Sequence, residues 1–131
     1  MSGQTAVTGE GIRPSHSKGL CPAVKAGDFI FLRGETGRDP VTKEIVGPEL
    51  KDQARQILTN ISTVMKAAGG SLNDIVSATV YLTDIHSAKE LNEVWEEFFQ
   101  DCDPGPARCT VQVTLNGITK VEIQCVAYLK S

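Results

Sequence analysis

Residues 50–84 read LKDQARQILTNISTVMKAAGGSLNDIVSATVYLTD, and this stretch decides the fold. Its first half sets Leu50, Ala54, Ile57, Leu58, Ile61, Val64, Met65 and Ala68 on one face at the helical period, which predicts an amphipathic helix. Pro48 falls in the first turn, where a missing N–H costs nothing, and Gly69-Gly70 supplies a left-handed stop. The period then changes. Residues 74–84, DIVSATVYLTD, are a β-branched run with little polar alternation, as expected for a central strand covered on both faces.

Working outward, the upstream residues predict a hairpin: Ala23 to Lys25, a turn at Ala26-Gly27-Asp28, and a strand from Phe29 to Glu35. Residues 38–47, RDPVTKEIVG, form a loop or short ribbon leading to the helix. Residues 1–18 are rich in Gly, Ser, Thr and Pro without apolar periodicity, and predict a flexible or edge-pairing arm of a single domain spanning 1–131. Downstream, Ser87 and Glu90 have capping-box spacing, and Leu91, Val94, Trp95 and Phe98 form the stripe of a second helix, with Trp95 read as core. Strands at Ala107 to Thr114 and Lys120 to Leu129 flank the turn sequence LNGIT.

This order predicts an α+β domain with two helices on one face of a mixed β-sheet. Alternation separates Ala107, Cys109, Val111 and Val113 from Arg108, Thr110, Gln112 and Thr114, and Val121, Ile123, Cys125 and Ala127 from Glu122 and Gln124. The apolar sets are expected to feed the core, and Arg108, Thr110, Gln112, Glu122 and Gln124 to share the helix-free face. Such a face usually meets another subunit, so a homo-oligomer is expected. Whether the last two strands pair directly or enclose another strand stays open.

Composition narrows the function classes. The chain has 131 residues and a net charge of −3; without a Lys/Arg block, nucleic acid is a poor partner. No apolar run approaches the roughly 20 residues of a membrane span, and the N-terminus has neither a basic leader nor an apolar signal core, so no membrane partner and a cytoplasmic location are expected. Cys21, Cys102, Cys109 and Cys125 lack CxxC spacing, and His16 and His86 lie far from them in sequence. No metal is therefore expected, and the thiols read as small hydrophobes, Cys109 least so because it adjoins Arg108.

The segments VKAGDFIFLRGETGRDPVTKEIVG, QARQILTNISTVMKAAGGSLNDIVSATVYLTDI, LNEVWEEFF, PARCTVQV and VEIQCVAYL, in that order, resemble the RidA/YjgF family of small trimeric proteins. The match covers roughly residues 22–129, and its strength lies in the order of the pieces rather than in one rare motif. The resemblance implies a chorismate-mutase-like homotrimer with helices outward, sheets inward and clefts between subunits, with the long central strand lying between the last two. It further implies hydrolysis of reactive 2-imino or enamino acids to 2-keto acids and ammonia without a cofactor. By position, Arg108 matches the arginine that holds the substrate carboxylate, Glu122 the acid associated with the reacting water, Asn92 an asparagine of the second helix, and Gly34 the glycine of the family's SGQ tripeptide.

The chemistry suits these residue types. A planar guanidinium grips an α-carboxylate with two prongs, and a carboxylate can orient or deprotonate a water and return the proton to the departing nitrogen. Departures from the family pattern surround the same positions: Arg33-Gly34-Glu35 replaces SGQ, Leu20 falls where an aromatic residue lines the pocket, and Cys109-Thr110 replaces the residues after the arginine. Arg33 and Glu35, two apart on a predicted strand, either neutralise each other, pair with a neighbouring subunit, or leave Arg33 to bind ligand. From the residues alone Arg108 is also open to a salt bridge with Glu122 or Glu35 within the trimer, and Glu122 to a counter-ion role. The candidate site therefore comprises Arg108 and Glu122 as catalytic residues, with Gly34, Arg33, Glu35, Asn92, Cys109, Thr110 and Leu20 around a carboxylate-bearing substrate. The alternative is a carboxylate-binding trimer of the same fold with altered or lost chemistry.

Overall fold

The apolar stripe of residues 50–68 is buried as its spacing demands. In the computed structural model, which describes residues 3–130, helix α1 (Leu50–Ala67) buries Ile57, Leu58, Ile61 and Met65 completely. Burying each such side chain contributes about 1.5–3 kcal/mol before conformational entropy is set against it. Pro48 lies just before the N-cap residue Glu49, and Gly69, at φ 90°, turns the chain out of the helix in a conformation that an L side chain resists. Strand β5 (Ile75–Leu82) then returns beneath α1, and helix α2 (Ala88–Phe99) follows it.

The expected capping box at Ser87 and Glu90 does not form. The Ser87 hydroxyl donates to the Asp84 carbonyl at 2.6 Å, and the Asp84 carboxylate accepts from the His86 N–H at 2.9 Å in a short 3-10 turn ahead of α2. A capping box does occur, at Ser71 and Asp74, where it opens the turn that leads into β5.

The remaining strands are β1 (Gln4–Ala6), β2 (Ala23–Ala26), β3 (Phe29–Leu32), β4 (Glu35–Thr36), β6 (Ala107–Gln112) and β7 (Val121–Tyr128). Among the described residues they form one sheet in the order β1-β2-β3-β7-β5-β6, with β4 pairing farther along β7. Only β5 and β6 run parallel; the helix α2 supplies the crossover that such a pair requires. Central β5 thus separates the last two strands, and Gln4–Ala6 of the N-terminal arm pairs along the β2 edge. Both helices pack on one face of this mixed sheet, α1 against α2 and the buried side chains of β3, β5 and β7 beneath them.

One expectation about faces is overturned. Arg108, Thr110 and Gln112 pair in register with Ala78, Val80 and Leu82, whose side chains are buried under the helices. The polar residues of β6 therefore lie on the helix side, and Ala107, Cys109 and Val111 are exposed on the open face. β6 is an edge strand beyond the reach of the central core, so its helix-side positions need not be apolar. Glu122 and Gln124 do lie on the open face, alternating with buried Val121, Ile123 and Cys125. That face also exposes Phe29, Phe31 and Tyr128, with the Phe29 and Tyr128 rings 5.3 Å apart, a contiguous apolar patch of the kind that marks an interaction surface. No helix among the described residues is long and apolar enough to cross a membrane.

Candidate functional site

Arg108 enters from the start of β6 and is held from two sides by α2. Its Nη2 donates to Asn92 Oδ1 at 2.7 Å, and its guanidinium carbon lies 4.8 Å from the centroid of the Trp95 ring. Trp95 in turn stacks on Phe99 at 4.5 Å, so this partly buried ring is a platform for the arginine as well as a core side chain. A cation over an indole face gains about 0.5–1 kcal/mol, enough to fix an otherwise mobile side chain. Burial draws the Arg108 pKa below its ordinary value, yet among the described residues no carboxylate pairs with it. Within a single chain Arg108 forms no salt bridge with Glu122 or Glu35.

Glu122 belongs to the opposite face. Its position follows from an irregularity in the strand that was expected to run unbroken from Phe29 to Glu35. Phe31 pairs with Val126 but Glu35 pairs with Ile123, so four steps along one strand answer three along β7. The extra residue is a bulge, and it turns Glu35 from the open face into the buried one. At the bulge Gly34 packs under Glu122: a Cβ built on Gly34 would stand 2.3 Å from Glu122 Oε2. Among the described residues no donor lies within hydrogen-bond distance of the Glu122 carboxylate. Burial pushes its pKa up, Arg13 pulls it down and Glu35 adds a smaller upward push, the net result being a raised value.

The bulge also brings Arg33 to a carboxylate. Glu35, only 2% exposed, accepts from Arg13 Nε at 2.8 Å and from Arg33 Nε at 3.1 Å, with Asn60 Nδ2 at 3.4 Å. Arg33 also donates to Ser15 Oγ at 3.2 Å and to the Arg13 carbonyl, while Asn60 reaches the Arg38 carbonyl at 2.9 Å. Glu35 is thus shared between Arg33 and buried Arg13, which leaves this cluster one positive charge in excess. Arg13 lies in a Pro- and Ser-rich arm with no periodicity, and no sequence signal singled it out.

A cavity of about 250 Å³ opens beside Glu122, lined by Gly34, Arg13, Arg33, His16, Leu20 and neighbouring residues. Leu20, 60% exposed, stands at this cavity, where it leaves an apolar wall. Gly34, Arg33, Leu20 and Glu122 are thereby brought together, with Glu35 immediately behind them. Arg108, Asn92 and Thr110 are elsewhere, on the helix face. Cys109 is exposed on the open face with its Sγ 3.8 Å from Thr79 Oγ1, whereas burial pushes the Cys125 thiol up to about 12. Among the described residues no group of three or more His, Cys, Asp or Glu side chains is placed to hold a metal ion.

Comparison with known proteins agrees with this architecture. The model of the family described as endoribonuclease L-PSP matches residues 11–129. A RutC family protein of Pyrococcus horikoshii is 45% identical over 81% of this chain and 83% of its own. A protein of Bos taurus named 2-iminobutanoate/2-iminopropanoate deaminase is 35% identical over 80% of this chain and 76% of its own. The crystal structure of RidA from an Antarctic Psychrobacter superposes with a TM-score of 0.87 at 36% identity, covering 95% of this chain and 99% of that one. The family match over residues 11–129 and these relatives lead to one placement: the chain belongs to the RidA/YjgF family.

Proposed function

We propose that this protein hydrolyses 2-imino or enamino acids to 2-keto acids and ammonia, without a cofactor, in clefts that two copies build together. The observation that carries the reading is a pair of uncommitted charges: among the described residues Arg108 has no acidic partner and Glu122 has no donor, and they project from opposite faces of one sheet. A single chain cannot bring them to one substrate. A closed homotrimer packed through the open sheet face would set one copy's Arg108 beside the next copy's Glu122 and cover Phe29, Phe31 and Tyr128.

In such a cleft the Arg108 guanidinium, aimed by Asn92 and Trp95, takes the α-carboxylate in a bidentate grip and so places the C=N carbon. Ionised Glu122 accepts a proton from water as its oxygen bonds to that carbon, giving a tetrahedral carbinolamine. Glu122 returns that proton to nitrogen, then takes the hydroxyl proton as the C=O forms and the C–N bond breaks, and passes it to the departing nitrogen, which leaves as ammonia. The raised Glu122 pKa brings proton gain and loss closer to neutral pH, where both half-steps are needed. The name of the Bos taurus relative supports this substrate class.

The test is a coupled reaction that generates 2-iminobutanoate or 2-iminopropanoate, with keto-acid release followed against the spontaneous rate. Acceleration that Arg108→Ala abolishes supports the reading; no acceleration with any side chain, and an Arg108→Ala protein indistinguishable from the parent, overturns it. Leu20 favours a second reading, a carboxylate-binding trimer with altered chemistry, because it gives the cavity an aliphatic wall. Keto-acid binding without acceleration is the result that reading expects.

A further inference from the structure

The cavity beside Glu122 does not end at His16. Arg13, Ser15 and His16 also line a second concavity of about 370 Å³, whose remaining walls are Pro14, Arg38 and Lys43. Two cationic residues outside the Glu35 network, Arg38 and Lys43, line it, and among the described residues no Asp or Glu does. Glu35 is shared between two guanidinium groups and Asp39 turns its carboxylate to the amides of Val41 and Thr42 at 2.8 and 3.0 Å, while Glu122 lines an adjoining concavity with His16 and Arg38. The wall is also built rather than loose. Arg38 Nη1 donates to the Lys43 carbonyl at 2.9 Å, Lys43 holds a left-handed backbone at φ 68°, and the Arg38 carbonyl is tied through Asn60 to the buried Glu35 network.

We propose that this concavity is a subsite for a second anionic group, so that the substrate class is 2-imino acids with a carboxylate in the side chain. The inference rests on the deaminase reading. A neighbouring copy's Arg108 takes the α-carboxylate, the C=N carbon lies beside Glu122, and the side chain runs past His16 to place its carboxylate between Arg38 and Lys43. Arg33, the cation that sequence alone offered for such a role, is withdrawn from it by Glu35. Selectivity comes instead from the pair beyond His16, where two cations with no acid in the wall favour a dianion over a monoanion.

Calorimetric titration of the assembled protein with 2-oxobutanoate and 2-oxoglutarate tests the subsite without depending on turnover. The dicarboxylate is expected to bind at least about tenfold more tightly, a margin of one decade in affinity. That margin shrinks in Lys43→Gln, vanishes in Lys43→Glu and shrinks again in Arg38→Gln. Lys43 is solvent-exposed, so its variants keep the fold, which circular dichroism confirms. Equal affinity for the two keto acids, or a preference that survives both Lys43→Glu and Arg38→Gln, overturns the subsite. Imine hydrolysis measured alongside separates the two claims: hydrolysis with no dicarboxylate preference sinks only the subsite, and preference without hydrolysis sinks only the deaminase.

Discussion

The carboxylate of Glu122 rests directly over the Cα of Gly34, with no room between them for a methyl group. Gly34 has no positive φ, so the requirement for glycine is one of space. Gly34→Ala must therefore push the flexible end of Glu122 aside while leaving the backbone unstrained. The variant is expected to fold with a Tm within a few degrees of the parent, since ~1 kcal/mol moves a domain of this size by roughly that much. Imine hydrolysis should fall at least about tenfold, the scale of losing a positioned proton-transfer group. Kinetics and thermal melting on the same sample check both halves.

Glu35 is the only carboxylate among the described residues that pairs with Arg13, and Arg13 is 5% exposed. Glu35→Gln restores the residue of the family tripeptide but leaves two guanidinium groups without a counter-ion. Breaking a buried pair from one side costs about 3–5 kcal/mol, far beyond a surface salt bridge. Urea unfolding should show a lower midpoint with an unchanged slope. A shift below about 1 kcal/mol would mean that water, rather than Glu35, satisfies Arg13.

Glu122 makes the opposite trade. Its raised pKa means that the folded state holds a proton that the unfolded chain releases, so Glu122 costs stability as pH rises from the ordinary carboxylate value through the raised one. Activity needs the ionised form and is gained over that same window, so the acid limb of kcat/KM should lie above the ordinary carboxylate range. Glu122→Gln should abolish that limb along with most of the activity, and melt no lower than the parent at neutral pH. A limb at the ordinary carboxylate pKa would show that another group carries the proton.

Because Arg108 and Glu122 face apart, inactive variants should complement each other. Arg108→Ala and Glu122→Gln proteins, each inactive alone, are unfolded together and refolded as a mixture. In a three-fold assembly with random mixing, about a quarter of the clefts receive both native residues. Activity near that fraction is the expected result. No recovery, with mixed assembly confirmed by mass spectrometry, would show that both residues serve one cleft from one chain.

Much of this was legible in the sequence. The periods of residues 50–68 and 74–84 gave the helix and the central strand, but β5 is covered on one face only, with Val76 and Ser77 exposed, because both helices pack on the same side of the sheet. The faces of β6 were not legible. Alternation reports that Arg108 and Cys109 point apart but not which side carries the helices, and an edge strand at an exposed apolar face inverts the usual assumption. The bulge at Arg33-Gly34 was equally hidden, since the contact it makes, Glu122 over Gly34, joins residues far apart in sequence. Arg13 escaped notice because its burial depends on a pairing with Glu35 that no local pattern encodes.

The bulge has a consequence for how this segment tolerates change in length. One surplus residue lies between the Phe31–Val126 and Glu35–Ile123 pairs, and removing it would make the ladder regular. Regularity would rotate Glu35 outward, strand Arg13 in the interior and lift the floor from beneath Glu122. A deletion that improves the β-sheet would thus dismantle the charge arrangement, so the segment stores its chemistry as a count of residues as well as in their identities.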